Sequence, residues 1–288
     1  MRISIIGAGR VGRTLGRLAR LSGYEVGDIV CGSPKSARSA VRFIGAGTPH
    51  GAADARLSRS ALILISTPDD SINDAVRLIR EAARKTGRPP VVHTSGALSS
   101  DALSPLREQG FGTGSCHPLQ TFPRASRSKA LMRSTYFCIE GDARAVRLAR
   151  RLVRDIGARH FEIPTEMKAL YHASAVMASG GVTALVSISL EMLARCGLTE
   201  SESIKVLLPL VEATVANVRR VGPALALTGP VRRGDAGTVE RNMKSVSEVN
   251  SDWLEIYRML SERSLALSET AGSDARSLDD IRRLLKAR

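Results

Sequence analysis

A glycine pattern near the N-terminus constrains the fold more than any other feature of the sequence. Residues 7–12 read Gly-Ala-Gly-Arg-Val-Gly, after a strand-like run at 2–6 and before a helical pattern. In that context Gly7 permits a tight turn, Gly9 lets a pyrophosphate approach the backbone, and Gly12 lets helix and strand pack closely. The pattern therefore predicts a strand–turn–helix unit that binds phosphate at the helix N-terminus. The alternative is a glycine-rich turn without a ligand.

Short apolar runs alternate with helical patterns through the first half of the chain. Predicted strands fall at 2–6, 25–31, 62–66, 91–93, 112–117, 135–139 and 160–163, and predicted helices at 11–21, 72–85, 98–109 and 143–156. The run at 62–66, Leu-Ile-Leu-Ile-Ser, is typical of a central parallel strand that is covered on both faces. The alternation predicts an α/β fold with a doubly wound parallel sheet.

The second half of the chain has a different pattern. After Pro164 the sequence predicts helices at 166–195, 201–221, 238–270 and 278–286, with little strand signal. Neither a repeat nor a low-complexity linker separates the two halves. We therefore expect two domains, 1–163 with the sheet and 164–288 all helical.

The residues after the second strand indicate which dinucleotide such a turn binds. An NAD site carries an acid there for the ribose 2′-hydroxyl, but residues 29–38 contain no Asp or Glu, and Asp28 lies inside the strand. Ser33, Lys35 and Arg38 are placed to meet a 2′-phosphate instead. We expect NADP, with NAD as the alternative if the two cations are only solvated helix charges. The expected cofactor-binding residues are Gly7, Ala8, Gly9, Arg10, Val11, Gly12, Ser33, Lys35, Arg38, Ser66, Thr67 and Pro68.

Small polar residues follow two further strands. Residues 66–69 (Ser-Thr-Pro-Asp) come after the apolar strand, and residues 93–96 (His-Thr-Ser-Gly) come after the next one. Ligands of open α/β sheets bind beyond the carboxyl ends of the strands. These segments are therefore expected near the nicotinamide ribose, with Ser95 as a candidate catalytic residue. Ordinary turns use the same residue types, which is the alternative.

The start of the helical half carries the most informative candidates for chemistry. Lys168 and His172 are four residues apart on a predicted helix and share a face, which Ser179 continues. If this helix crosses the interdomain cleft, the Lys168 amine, the His172 imidazole and the Ser179 hydroxyl all face the nicotinamide. Lys168 is then a candidate proton donor or anion ligand, and His172 an acid or positioning residue. The alternative is an exposed Lys above a hydrogen-bonded His.

Two other segments add candidates. His117 lies at the end of a predicted strand and is expected to face the cleft, whereas the adjacent Cys116 points to the opposite face. In the Gly- and Pro-containing loop of the helical half, Arg232 or Arg233 is placed to hold a substrate carboxylate by a bidentate pair. A simple connection between helices is the alternative there.

These motifs occur in one order over nearly the whole chain. Together they resemble an uncharacterised family of Rossmann-like oxidoreductases, similar to pyrroline-5-carboxylate reductase, ketopantoate reductase and the β-hydroxyacid dehydrogenases. The segments that carry the resemblance are 7–12, 66–69, 93–96, 117–122, 168–172 and 227–235. The resemblance implies a Rossmann domain that binds NAD(P) and a C-terminal all-α domain of the 6-phosphogluconate-dehydrogenase-like type, which commonly dimerises.

The chain departs from its relatives at two positions. In β-hydroxyacid dehydrogenases a catalytic Lys is followed four residues later by Asn; Lys168 matches the Lys, but His172 replaces the Asn. Relatives often carry Arg just after the second strand, where this chain has Gly32. The first departure leaves the substrate class open, and the second weakens the expectation of NADP.

Charge and cysteine content bear on partners and compartment. The chain carries 42 Lys and Arg against 28 Asp and Glu, a net charge of +14, but aromatic residues make up only 3%. Because stacking platforms for single strands need aromatic residues, we expect no nucleic-acid partner. None of the four cysteines stands in a CxxC pair, so we expect no metal and a reduced, cytoplasmic setting.

One uncharged stretch, 173–190, has nominal membrane-spanning length. It contains seven Ser, Thr and Gly residues, which weakens a membrane assignment. We expect instead a helix that is buried against a neighbouring domain or subunit, and no membrane partner.

Three functions are compatible with these features. The leading one is NADPH-dependent reduction of a small carbonyl or imine acid, a 2-oxo acid such as ketopantoate among them, with Lys168 and His172 as the acid and positioning pair. The second is a non-catalytic sensor that binds the dinucleotide as a signal. The third and weakest is a nucleic-acid binder, whose affinity would fall steeply with salt.

Overall fold

One eight-stranded sheet organises the N-terminal part of the chain. The computed structural model describes residues 1–51, 57–82, 87–126 and 130–287. The strands are β1 (Arg2–Ile6), β2 (Glu25–Val30), β3 (Thr48–His50), β4 (Leu62–Ile65), β5 (Val91–His93), β6 (Thr113–Leu119), β7 (Tyr136–Gly141) and β8 (Arg159–Glu162). Their order is β3-β2-β1-β4-β5-β6-β7-β8, which contains the 3-2-1-4-5 arrangement of doubly wound sheets.

Helices cover the sheet and form the C-terminal part. They are α1 (Arg10–Leu21), α2 (Pro34–Ile44), α3 (Ile72–Ala82), α4 (Ser104–Arg107), α5 (Ala130–Arg133), α6 (Ala143–Asp155), α7 (Lys168–Val176), α8 (Val182–Arg195), α9 (Glu200–Ala226), α10 (Pro230–Arg233), α11 (Ala236–Ser247), α12 (Ser251–Thr270) and α13 (Ala275–Lys286). A π-helical turn, Met177–Gly181, joins α7 to α8.

The central strands are buried on both faces. In β4, Leu62 and Leu64 belong to the apolar cluster that contains residues of α1 and α6. Ile63 and Ile65, which point the other way, belong to the cluster that contains residues of α3. Each of these four side chains is at most 1% exposed. The predicted α/β fold with a doubly wound sheet is therefore confirmed.

The sheet is parallel except at one pairing. β6 and β7 run antiparallel, with His117 opposite Cys138, while the other neighbouring strands run parallel. Periodicity marks a strand but carries no information on its direction. The edge strand β3 was not predicted, because it has three residues and contains Pro49, which lacks a ladder donor.

Two predicted helices also differ from the structure. The helix predicted at 98–109 is a 3₁₀ turn followed by the four-residue α4. The helix predicted at 238–270 is two helices, α11 and α12, because the Asn250 side chain accepts the N–H groups of Asp252 and Trp253 and starts a new helix. The last residues of the helix predicted at 72–85 lie outside the described residues.

Residue contacts divide the chain into two units, Met1–Ser179 and Gly180–Arg288. The predicted boundary after residue 163 marks the end of the last strand. By contacts the first unit runs on through α7, whose Lys168 donates a hydrogen bond to Ser115 of β6. The second unit is helical, and a small apolar core joins α10 to α13 through Val231, Val239, Met243, Leu265, Leu278, Ile281 and Leu285.

The helices α8 and α9 expose many apolar side chains in the single chain. Leu210 is 65% exposed and Leu225 is 66% exposed. Within 173–190, Met177 is 76% exposed and Val176 50%, so the burial expected for this stretch is not provided by this chain alone. The run Thr165–Arg195 has the length and composition of a membrane span, but its Lys168 is hydrogen-bonded to the sheet.

Candidate active site

The turn after β1 has the geometry that the glycine pattern predicts. Gly7 has a φ of +83°, and a Cβ there would lie 2.5 Å from Cγ2 of Thr67. A Cβ on Gly12 would overlap the hydroxyl of Ser66, whereas none of the described residues has an atom within 4 Å of the Cβ position of Gly9. Only glycine fits at the first and third positions, and the second leaves open space beside the backbone.

The N-terminus of α1 faces that open space. Its cap residue, Gly9, supplies no side-chain hydrogen bond, and the first turn contains no acidic residue. The first N–H groups of a helix lack partners within the helix and carry partial positive charge. The residues of this turn therefore fit the pyrophosphate of a dinucleotide.

A cavity of about 530 Å³, which we call the dinucleotide cavity, lies beside this turn. Its wall consists of Ile6, Gly7, Ala8, Gly9, Arg13, Val30, Cys31, Gly32, Ser36, Ser66, Thr67, Pro68, Ser71, Asp74, Ala75 and Leu78. Half of the expected cofactor residues are on this wall, namely Gly7, Ala8, Gly9, Ser66, Thr67 and Pro68. The others are outside the wall, namely Arg10, Val11, Gly12, Ser33, Lys35 and Arg38.

Arg13 lines the dinucleotide cavity, and the sequence reasoning missed it. Its Nε donates to the carbonyl oxygen of Ala8 at 3.0 Å, which holds the guanidinium at the cavity wall. A signal was present in the sequence. Arg10 and Arg13 both stand in the first turn of α1, where the helix dipole disfavours cations. An anion bound at the N-terminus of α1 offsets the unfavourable interaction of these two cations with the helix dipole.

Asp28 is occupied inside the sheet. It is 4% exposed, and its Oδ1 lies 3.0 Å from Nε2 of His50 in the neighbouring strand β3. Its own N–H donates to the hydroxyl of Ser4 in β1. The carboxylate therefore stands away from the end of β2, where an acid for a ribose hydroxyl is expected.

The N-terminus of α2 follows the end of β2. The Ser33 hydroxyl accepts the N–H of Ser36 and donates to its hydroxyl, so the two serines cap the helix. Ser36 lies on the wall of the dinucleotide cavity. Lys35 and Arg38 are exposed on the first turns of α2.

The segment after β5 makes the contacts of an ordered turn. His93 is fully buried; its Nδ1 accepts the N–H of Ser95 at 3.2 Å, so its Nε2 donates to the Ser99 carbonyl at 3.0 Å. Burial lowers the pKa of His93. The Ser95 hydroxyl accepts the N–H of Leu98 at 3.0 Å. The segment fixes the neighbouring Gly96 in place.

A second cavity, of about 400 Å³, lies between the end of β6 and α7. We call it the histidine cavity. Its wall consists of His117, Pro118, Leu119, Gln120, Thr121, His172, Ser174, Ala175, Val176, Ala178 and Ser179. Three residues that the sequence reasoning proposed for chemistry or substrate share this wall, namely His117, His172 and Ser179.

Two ring nitrogens converge at this cavity. A Cβ built on Gly96 would lie 2.4 Å from Cδ2 of His172, 2.8 Å from Nε2 of His117 and 2.9 Å from Nε2 of His172, so Gly96 packs closely against both rings. The two rings are nearly perpendicular, with centroids 6.0 Å apart. We call this arrangement of His117, His172 and Gly96 the imidazole cradle. Among the described residues, no group of three His, Cys, Asp or Glu side chains is arranged to hold a metal.

Lys168 lies behind the histidine cavity and not on its wall. It is 1% exposed, and its Nζ donates to the Ser115 hydroxyl at 2.7 Å. The nitrogen also lies 5.3 Å from the centre of the Tyr171 ring. Burial disfavours the charged amine and lowers the pKa of Lys168. The predicted stripe is therefore divided, since His172 and Ser179 reach the cavity and Lys168 does not.

His117 is a neutral imidazole at pH 7. Burial, and then the charges of Lys168, His172 and His93, lower the pKa of His117 to about 4. The adjacent Cys116 points into the core, as the alternation along a strand predicts, and is 1% exposed. Burial raises the pKa of its thiol to about 12.

The two arginines proposed for a carboxylate lie in α10, within the helical unit. Arg232 donates to the Ala271 carbonyl at 3.1 Å and to the Ser273 hydroxyl, so it joins α10 to the end of α12. Arg233 is exposed. These contacts of Arg232 connect two helices, which is the alternative to carboxylate binding that the sequence left open.

Fold and site together define a Rossmann-type protein with a helical C-terminal unit. Two family models match this chain: residues 1–121 match a Rossmann-like domain, and residues 135–264 match the domain of unknown function DUF2520. The two matches together span most of the chain, and the predicted resemblance is confirmed. Comparison with the sequences of curated proteins gives no match.

Solved structures resemble this chain over most of its length. A Thermotoga maritima protein has a TM-score of 0.77 at 23% identity, covering 93% of this chain and 99% of its own. A Bacteroides fragilis protein provisionally named an NADP oxidoreductase has 0.73 at 20%, covering 92% and 98%. A Streptomyces aurantiacus imine reductase has 0.63 at 17%, covering 100% of both. Pyrroline-5-carboxylate reductases also match. At these identities the likeness shows the fold alone.

Proposed function

We propose that the protein is an NADPH-dependent oxidoreductase that reduces the carbonyl or imine carbon of a small acid, with 2-oxo acids among the candidates. The observation that carries the proposal is a succession of groups along one edge of the sheet. The glycine turn follows β1, Ser66 follows β4, Gly96 comes after β5 and His117 stands near the end of β6. These four strands are parallel neighbours in that order, so the turn and the imidazole cradle share one edge.

The preference for NADP over NAD is supported by the end of β2. Asp28 is bonded to His50 within the sheet, so it is not placed to bind a ribose hydroxyl. The N-terminus of α2, with Ser36 on the cavity wall and Lys35 and Arg38 exposed nearby, suits a 2′-phosphate. The provisional name of the Bacteroides fragilis relative points the same way.

The chemistry is divided between cofactor and chain. When bound, NADPH supplies a hydride and is oxidised to NADP⁺, while the carbonyl or imine carbon gains a C–H bond and its heteroatom takes up a proton. The imidazole cradle holds that heteroatom beside Gly96. His172, half-buried on the cavity wall, passes the proton, and Lys168 acts from behind through Ser115. Ser179 lines the same cavity, but its hydroxyl donates to the Ala175 carbonyl at 2.9 Å, so it is not placed to donate to the acid group of the substrate.

Cofactor binding is tested by thermal unfolding with NADPH, with NADH and with neither. A ligand at 100 times its dissociation constant adds about 2.7 kcal/mol to the free energy of unfolding. Gly9→Asp is expected to abolish the stabilisation by NADPH, because it places a carboxylate in the open space beside α1. Gly87→Asp, at an equally open site outside the cavity, is the matched control. No shift with either nucleotide contradicts the proposal.

Catalysis is tested by NADPH oxidation with a panel of 2-oxo acids and cyclic imine acids. We expect turnover of at least one member, and a strong loss of turnover in Lys168→Ala with NADPH binding near normal. Lys168→Met, which keeps the buried stem, separates loss of the amine from loss of packing. A protein that binds NADPH and reduces no member of the panel is instead a dinucleotide sensor.

We also propose that a second copy of the chain covers the apolar side chains on α8 and α9. Exposed apolar area of this extent is unusual for a monomer. Sedimentation velocity is expected to give a dimer, and Leu210→Lys to give monomers. Leu21→Lys, at the end of α1 in the other unit, is the control. A wild-type monomer at micromolar concentration contradicts the proposal.

For the compartment, we propose the cytoplasm. The four cysteines, Cys31, Cys116, Cys138 and Cys196, are unpaired, which suits a reducing environment. Cell fractionation with a tagged chain tests this assignment.

A further inference from the structure

The phenol of Tyr171 lies directly behind the imidazole cradle. Its hydroxyl is 2.7 Å from Nδ1 of His117, on the opposite side of the ring from Nε2 in the cradle. The two rings meet edge to face with centroids 5.7 Å apart. Phe161 packs against the Tyr171 ring from another side, at 5.8 Å. Both ring contacts hold the phenol in place behind His117.

The surroundings of His117 and Tyr171 determine which ring nitrogen of His117 carries its proton. His117 is neutral at pH 7 and therefore has a single N–H. Burial, and then Cys138, raise the pKa of the Tyr171 hydroxyl, so the phenol keeps its proton and donates it. An imidazole nitrogen is a strong acceptor and a thiol a weak one. The phenol therefore donates to Nδ1 of His117, and the proton of His117 is on Nε2.

We propose that Tyr171 is a positioning and specificity-determining residue, which holds His117 in its Nε2–H form and so makes the imidazole cradle a hydrogen-bond donor. The inference rests on the proposed function and narrows its substrate class. A carbonyl oxygen accepts the N–H and gains negative charge as its carbon is reduced, so the donor stabilises the transition state. A protonated imine presents an N–H of its own, which the cradle repels. Tyr171 therefore selects carbonyl substrates over iminium substrates.

Nitrogen NMR of histidine-labelled protein tests the proton position without any turnover. At pH 7 we expect Nε2 of His117 to have the shift of a protonated ring nitrogen and Nδ1 that of a bare one. In Tyr171→Phe, which keeps the ring contacts, the two shifts should move towards each other as the tautomers mix. Tyr257→Phe, which removes a hydroxyl that accepts from Asn242 in the helical unit, should leave them unchanged. A proton on Nδ1 in the wild type, or an unchanged pattern in Tyr171→Phe, overturns the inference.

Kinetics test the consequence for specificity. The ratio of kcat/KM for a 2-oxo acid over that for a cyclic imine acid should fall by about tenfold or more in Tyr171→Phe. The affinity for NADPH should not change, which separates a positioning role from general damage to the fold. An unchanged ratio overturns the inference. If no panel member is turned over, the proposed function fails, and the nitrogen spectra still decide the role of Tyr171.

Discussion

The two cavities of the N-terminal unit are lined by different kinds of group. The dinucleotide cavity is formed largely by glycines, short side chains and a helix N-terminus, with the turn at 6–9 on its wall. The histidine cavity is formed by side chains of β6 and α7, which are far apart in the sequence. A site made of backbone needs particular residues for steric reasons, whereas a site made of side chains needs the fold to bring them together.

The largest effect is expected from the most constrained glycine. Gly7→Ala combines a positive φ with overlap against Thr67, so we expect the free energy of unfolding to fall by about 3 kcal/mol or more. Gly23→Ala has the same φ of +83° with nothing within 4 Å, so it should cost only about 1 kcal/mol. Urea unfolding measures both. Equal losses would mean that the close approach at Gly7 contributes nothing.

The free energy of unfolding should depend on pH because of His117 in the histidine cavity. The pKa of His117 is lowered from 6.5 to about 4, so protonation favours the unfolded chain. Its neutral form is fully compatible with folding above pH 6.5, and we expect about 3 kcal/mol of stability to be lost as the pH falls from 6.5 to 4. His117→Gln should lack this loss, while His160→Gln, at an exposed position, should retain it. Unfolding curves from pH 7 to pH 4 that are parallel in all three proteins contradict this account.

Filling the imidazole cradle should greatly lower catalytic activity while leaving cofactor binding intact. A methyl group at Gly96 would overlap Cδ2 of His172 and lie within 2.9 Å of both Nε2 atoms, so it displaces the two rings. We expect kcat/KM in Gly96→Ala to fall by about 100-fold, with an unchanged thermal shift by NADPH. Gly87→Ala is the matched control at an open site. Full activity in Gly96→Ala removes the cradle from the substrate site.

The smallest expected effect concerns the choice between cofactors. Gly32 is exposed, with nothing within 4 Å of its Cβ position, and it lines the dinucleotide cavity. An Asp there is expected to accept from a ribose 2′-hydroxyl and to repel a 2′-phosphate. Gly32→Asp should shift the ratio of Kd values towards NADH by about tenfold. Titration with both nucleotides measures the shift, and an unchanged ratio places the 2′-phosphate elsewhere.

The sequence predicts the Rossmann part well because its constraints are local. Gly7, Gly9 and Gly12 each have the environment that the motif requires, and the apolar run at 62–66 is a strand buried on both faces. The direction of β7 and the three-residue β3 were beyond prediction. The direction of β7 depends on how the chain returns to the sheet, which periodicity does not show. The strand β3 has three residues, one of them a proline, and is too short to show a periodic pattern.

The histidine cavity was predicted only in part, for a physical reason. Helical spacing correctly indicates that Lys168 and His172 share a face, but spacing does not tell which end of that face is covered by the sheet. The first turn of α7 packs on Ser115, so the amine is buried while the imidazole reaches the cavity. Tyr171, which the same helix brings to His117, has no signature in the sequence at all.

The π-helical turn Met177–Gly181 has an evolutionary consequence. A π turn holds one residue more than an α turn, so residues beyond it are rotated by about 100° relative to an uninterrupted helix. The helix that begins with Lys168 and His172 therefore continues into α8 with a new register. Insertions or drift beyond the turn can change which side chains α8 presents without turning the imidazole of His172.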